Sequence, residues 1–301
     1  MTTATPTTAV PQERAVPQAR AKEITPQRRL LGLIGTYALM IFIALLFILP
    51  MLWMLSTSLK PKREWFTRTI EWVPKTLTLE NYQRIFANPA TPIASWFINS
   101  LIIAATVTIL ILVVDSLAGY AYARLEFPGR RLIFGILLAT LFLPGIMFLV
   151  PNFLTVARLG LLNNFGGVII PALAGVFGVF FMRQFFESIP KELEEAAEID
   201  GANRFQIFYQ IALPLSKPAL ATLAVITFLG SWNDFLWPLL ILKSPDLQTL
   251  PVGLATLQGA YTSEYGVMMA GAVIVAIPVL VIYAALQRFI VESVASTGIK
   301  G

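Results

Sequence analysis

Six long apolar runs, near residues 30–58, 97–123, 132–152, 165–186, 218–242 and 267–290, constrain this chain more than any other feature. The hydrocarbon core of a bilayer is about 30 Å thick, and a helix needs roughly 20 mostly apolar residues to cross it. The first run carries no charge between Arg29 and Lys60. Unpaired backbone N–H and C=O groups are too costly in lipid, so only helices and closed barrels span it. These runs are continuously apolar rather than alternating, which selects helices over a barrel. Composition agrees, with 56% hydrophobic and 13% charged residues against about 25% charged in a soluble domain. Mean hydropathy is +0.73. The sequence therefore predicts an all-α polytopic membrane protein with six transmembrane helices.

Absences narrow the function. There is no cysteine and no histidine, which removes thiol nucleophiles, imidazole bases and the usual zinc ligand sets. No glycine is followed by lysine, so the chain has no P-loop. No Gly-rich dinucleotide fingerprint opens a helix after a strand. No catalytic residue, metal site or cofactor is expected in this chain. The net charge of +5 fits Lys and Arg gathering in cytoplasmic loops and calls for no nucleic acid. The short Arg124–Arg131 loop and the Arg28-Arg29 pair put both chain ends in the cytoplasm.

Residues 1–27, rich in Thr, Ala and Pro, read as a disordered cytoplasmic leader, followed by a six-helix transmembrane domain over 28–295 and a cytoplasmic tail over 296–301. The first outer loop, Lys60 to Ser95, is polar with aromatic islands. Thr78 is a plausible N-cap for a short amphipathic helix through Phe86. Such a segment suits the membrane interface or an external partner.

The loop over 187–217 is polar and lies between two spans. Pro190 suits a helix start, Glu192, Glu194 and Glu195 favour its N-terminal dipole, and Gly201 suits a positive-φ stop. Leu193, Ala196, Ala197 and Asp200 share one face, and the paired alanines leave room for another protein's backbone. A second helix is expected over Asn203–Ala212, with Phe205, Phe208 and Ile211 on its apolar side, ended by Pro214.

Glu195-Ala196-Ala197, Gly201 and Ile211-Ala212-Leu213-Pro214 stand at spacings that resemble the "EAA" loop of the membrane subunits of binding-protein-dependent ABC importers. Ala118 to Arg130 resembles the segment closing the second span in the carbohydrate branch. Ser231-Trp232-Asn233-Asp234-Phe235-Leu236-Trp237-Pro238 resembles that branch's fifth span, and Gly298-Ile299-Lys300-Gly301 its maltose-type tail. The resemblance implies a type I importer permease fold in a bacterial or archaeal cytoplasmic (inner) membrane. The implied cargo is a di- or oligosaccharide, with sn-glycerol-3-phosphate or another polyol as the alternative. Implied partners are a second homologous permease, two ATP-binding subunits that hold ATP and Mg, and an extracytoplasmic sugar-binding protein. By the same resemblance, Glu195, Ala196, Ala197, Gly201, Ile211, Leu213 and Pro214 form the ATPase-coupling element. Gly298, Lys300 and Gly301 would reach the ATPase interface.

Polar groups inside spans are costly and face a cavity or a partner. Asp115 is expected to fasten helices, through Arg124 or a neighbouring subunit. Trp232, Asn233, Asp234 and Trp237 suit either a sugar path, with aromatic faces and hydrogen-bonding groups, or interhelical hydrogen bonds. Two rival classes have distinct requirements. A secondary transporter needs no EAA loop and works without ATP. An intramembrane enzyme would have only Asp or Ser chemistry, with Asp115 and Asp234 as candidates.

Overall fold

The computed structural model describes residues 26–66, 69–89, 91–173, 175–260 and 264–298. Residues 1–25 of the expected leader and the tail residues Lys300 and Gly301 lie outside the described residues, whereas Pro26 and Gln27, expected in the leader, begin a helix, and Gly298 is the last residue of the final helix. The chain divides into two units, Met1–Met51 and Leu52–Gly301.

In the first unit, helix α1 (Pro26–Ser58) supplies the described structure. Its successive residues Leu39, Met40, Ile41, Phe42 and Ile43 are all exposed, so no face of the helix is covered within the unit. An apolar surface on every side suits lipid or another membrane helix.

The second unit is built along α3 (Ile93–Arg124), a 32-residue helix about 48 Å long at 1.5 Å per residue. Three apolar clusters sit along it. Near its start, Ile93, Trp96 and Ala104 pack with α2 (Glu80–Ala87), α11 (Lys217–Trp232), α13 (Leu250–Ala260) and α14 (Tyr265–Gly298). In the middle, Ile103 and Val107 meet α5 (Leu149–Arg158), α6 (Phe165–Ala172) and α12 (Leu236–Ile241). At its end, Tyr120 packs with Met182 and Phe186 of α7 (Phe177–Ser188) and with Ala219 and Leu223 of α11. The α3–α7 crossing is close because Gly119 has no side chain. A Cβ there would lie 2.8 Å from Met182 Cβ and 2.9 Å from the Arg183 nitrogen, which real contacts do not allow.

Among the described residues, three single helices are long and apolar enough to cross a bilayer, over Gly32–Ser58, Ile93–Arg124 and Tyr265–Ala284, and the other expected spans are bent or interrupted. The third expected span is α4 (Arg130–Thr140) followed, after a 96° bend, by Gly145–Arg158. Pro144 stands at that bend, where it lacks the N–H that would continue the helix. The fourth is α6 and α7 in succession. The fifth is shorter than its apolar run: α11 has 16 residues, roughly 24 Å, and stops where Asn233 and Asp234 interrupt the pattern.

The loop that follows α1 is folded rather than draped. Lys60 is buried, its ammonium donating to the Glu71 carbonyl and lying 4.4 Å from the Trp53 ring centroid. Asn81 Nδ2 donates to the carbonyls of Ser58 (2.8 Å) and Lys60 (2.9 Å). Glu64 Oε2 accepts the amides of Lys75 (3.1 Å) and Thr76 (3.4 Å). The short helix begins one residue later than the Thr78 cap implies: Leu79 is the N-cap, and the Thr78 hydroxyl accepts from the Glu80 amide at 3.1 Å.

Candidate coupling loop and cavity

The loop over 187–217 folds as its punctuation directs. Pro190 is the N-cap of α8 (Lys191–Ile199) and puts no N–H at risk. Gly201 ends the helix at φ 88°. The Gly201 amide bonds the Glu198 carbonyl (3.0 Å) and the Ala202 amide bonds the Ala197 carbonyl (2.9 Å). These paired bonds are the Schellman arrangement, which satisfies carbonyls that a bare helix end leaves open. A capping box between Asn203 and Gln206 then starts α9 (Arg204–Ile207), and Arg204 forms an ion pair with Glu198. The turn between the helices is therefore held at both sides, and the hairpin is stiff.

One face of this hairpin is open. Glu192, Leu193, Glu195 and Ala196 are exposed, and Ala197 is half-buried. Ile199 is 87% and Phe205 68% exposed, large apolar values for a charged loop. The second helix departs from expectation in two ways. Residues Phe208–Ala212 form a π-helical turn, which shifts the register, so Ile207, Phe208 and Ala212 are buried while Phe205 faces out and Ile211 is half-buried. Pro214 does not end the helix. The chain stays helical through α10 (Leu213–Leu215) and bends by 75° at Ser216. The wider π turn relieves the clash of the proline ring with the preceding turn.

The opposite face of α8 is fixed by a residue that the sequence reading grouped with its neighbours. Glu194 is buried and accepts from Arg124 Nε at 2.6 Å and from the Tyr120 hydroxyl at 3.2 Å. Arg124 Nη2 also donates to the Ile189 carbonyl at 2.6 Å. The two charged side chains are 5% and 6% exposed. An exposed pair contributes about 0–1 kcal/mol, but losing one member of a buried pair costs about 3–5 kcal/mol because the other charge is stranded. Tyr120 lies among aromatic rings, 5.5 Å from Phe186 and 5.1 Å from Phe208. Its cluster includes Leu213.

This arrangement corrects the expected role of Arg124. Its partner is Glu194, not Asp115, which lies nine positions earlier and so about 14 Å away along the same helix. Asp115 is buried at the α3–α7 crossing, where its carboxyl occupies the space that a side chain at Gly178 would need.

A cavity of about 470 Å³ opens in the middle of the unit. Val107, Ile111 and Val168 form apolar walls, and Asn152, Thr227, Ser231 and Asp234 supply polar groups. Trp237 lines it too, with Nε1 donating to the Gly167 carbonyl at 3.1 Å. The four residues of the fifth-span pattern separate here. Asp234 and Trp237 reach the cavity. Trp232 is buried in the core with Phe97 and Phe228, at ring distances of 5.7 and 5.8 Å. Asn233 turns back to the Leu229 carbonyl at 2.9 Å. Asn152 and Thr227 carried no sequence signal, since each is a single polar residue in an apolar run, and Ser231 stood in the fifth-span pattern without being singled out.

Bent spans around one long helix, a central part-polar cavity and a stiff charged hairpin define a membrane transport subunit. Residues 115–296 match the family described as binding-protein-dependent transport system inner membrane component, and the chain belongs to that family. It is 38% identical over 262 residues to the arabinooligosaccharides transport system permease protein of Halalkalibacterium halodurans, covering 86% of this chain and 94% of that protein. It is 36% identical over 264 residues to the diacetylchitobiose uptake system permease protein of Streptomyces coelicolor, covering 86% of each. Among solved structures, it resembles a chain of a bacterial ABC transporter involved in import of the acidic polysaccharide alginate, with TM-score 0.77 and 26% identity over 88% of this chain and 98% of that one. The type I importer permease fold inferred from the EAA spacing is thus the fold of this chain.

Proposed function

We propose that this chain forms half of the translocation pathway of an ATP-driven oligosaccharide importer and receives the ATPase stroke through α8. The relatives named for arabinooligosaccharides and diacetylchitobiose support the cargo class. The observation that carries the coupling role is the two-sided character of α8. One side offers Glu195, Ala196 and Ala197 to a partner, and the other is anchored by a buried ion pair. Two ATP-binding subunits would bind ATP and Mg, with α8 seated in a cleft of one of them. A second permease would complete the pathway, and an extracytoplasmic binding protein would deliver sugar. In this reading both chain ends and α8 are cytoplasmic, and the loop from Lys60 is outside.

The cavity favours a neutral cargo. Its lining has one carboxyl, Asp234, and no Lys or Arg, so nothing there matches a phosphate. The Trp237 ring and the Asn152, Thr227 and Ser231 groups suit a sugar's alternating apolar face and hydroxyls. On ATP binding, closure of the ATPase dimer would move the coupling helices, and rigid-body rotation would switch access. The test is reconstitution. With a second permease, an ATPase pair and a loaded binding protein, ATP-driven uptake is expected. The chain alone should neither hydrolyse ATP nor move sugar, and uptake by it on an ion gradient would refute the importer reading.

A further inference from the structure

We infer that Arg124 and Glu194 are positioning residues that make α8 and α3 one mechanical body, carrying the displacement of α8 to the cavity wall. The inference rests on the proposed docking of α8 to an ATPase, and adds the route by which that docking is felt inside the membrane.

A hairpin that merely touches the rest of the protein would dissipate a push at its flexible joins. This one is tied at three points to the last two turns of α3. Arg124 holds Glu194 in the first turn of α8 and, with a second nitrogen, the Ile189 carbonyl just before it. Tyr120, one turn earlier, donates to the other oxygen of Glu194 and packs on Phe208, beyond the hairpin's turn. The guanidinium is rigid and forked, so its two bonds fix the direction of the helix as well as its distance. Both charged side chains are largely buried, at 5% and 6% exposed, which limits their exchange with solvent. Gly119 lets α7 press against α3 at the same level, so the two helices have little freedom to slide.

Helix α3 continues unbroken from this anchor to Ile111 and Val107 in the cavity wall. Ile111 is 13 residues from Arg124, about 20 Å of continuous helix. A rigid element fastened to α8 at one end and lining the cavity at the other can carry a displacement between the two.

The test uses the intact complex with its second permease and ATPase subunits. A single cysteine at Ile111 in this cysteine-free chain reports cavity-wall access through its maleimide labelling rate, with and without a non-hydrolysable ATP analogue. The nucleotide-dependent change should fall by about fivefold or more in Arg124→Gln and Glu194→Gln, a coupling loss of ordinary size, while the ATPase subunits stay bound. Tyr120→Phe, which keeps the ring and loses one hydrogen bond, should show a smaller loss. A role in stability alone would leave this nucleotide dependence at its wild-type size. An unchanged response in both charge variants, or their failure to assemble at all, would overturn the inference. Ala197→Trp separates the two readings. Lost ATPase binding there with a normal response in Glu194→Gln defeats the anchor alone, whereas retained binding and response defeats the docking itself.

Discussion

The loop from Lys60 and the α8–α9 hairpin are both polar segments between apolar helices, yet they use their polar groups differently. In the first of these, Lys60, Glu64 and Asn81 are buried and bond to backbone of that loop or of the α1 end beside it. Arg84 also reaches outside the loop, pairing with Glu264 at 2.7 Å. In the hairpin one acid, Glu194, is buried while Glu192 and Glu195 stay exposed beside Leu193 and Ala196. A segment whose buried polar groups are internally satisfied is a cap. One held on a single side, with small residues and acids on the other, is a surface kept for a partner.

The largest expected effect is on the open face. Ala197→Trp should abolish ATP-driven uptake and ATPase stimulation while the protein still inserts, because bulk there blocks close approach. Gly201→Val should do much the same by a different route. A β-branched residue at φ 88° is strained by about 1–2 kcal/mol or more, and the hairpin would lose its turn. Normal uptake with both substitutions would erase the contrast between the loops.

An intermediate effect belongs to the cap. Asn81→Ala strands the Ser58 carbonyl and leaves the Lys60 carbonyl to the Trp65 indole alone, and should cost about 1–3 kcal/mol of local stability, read as faster proteolysis of residues 59–92. ATPase stimulation should be nearly unchanged. Equal loss of coupling from Asn81→Ala and Ala197→Trp would show that the two loops are not distinct.

The smallest effect is a pH dependence of the same cap. Burial alone would raise the Glu64 carboxyl, but bonds from the Thr76 hydroxyl and the Thr76 and Lys75 amides, with Arg63 nearby, outweigh it. They hold Glu64 below its ordinary value of 4.5. A lowered carboxylate pKa stabilises the fold above the ordinary value, and that contribution is lost as pH falls through the lowered one. Protease protection of the loop should therefore decline below about pH 4.5 in the wild type, and decline less steeply in Glu64→Gln. Identical acid profiles would remove Glu64 from the account.

Much of this architecture was legible because membrane helices announce themselves as unbroken apolar runs, and α8 because Pro190 and Gly201 bracket it. The bends were not. The run over 132–152 stays apolar through Pro144, and hydropathy carries no direction, so a 96° turn leaves it unchanged. The π turn at Phe208–Ala212 was hidden likewise, since a change in hydrogen-bond register needs no change in residue type. Glu194 escaped notice for a different reason. An acid in the first turn of a helix already has a local explanation in the helix dipole, and its true partner, Arg124, is 70 positions away. Asp234 and Trp237 were found through their pattern, but the same pattern could not distinguish them from Trp232, whose chemistry is similar and whose side chain points into the core.

The most direct measurement is the protection of a single cysteine at Ile199, the most exposed apolar residue of the hairpin, 87% exposed in this chain. In the cysteine-free background, Ile199→Cys should react rapidly with a membrane-impermeant maleimide in inside-out vesicles holding the permease pair alone. Assembly with the ATPase subunits should slow that reaction strongly, because the core of a protein interface is buried, while a cysteine at Thr76 should be indifferent to them. Equal labelling of Ile199→Cys with and without the ATPase would contradict the claim that α8 is the docking helix.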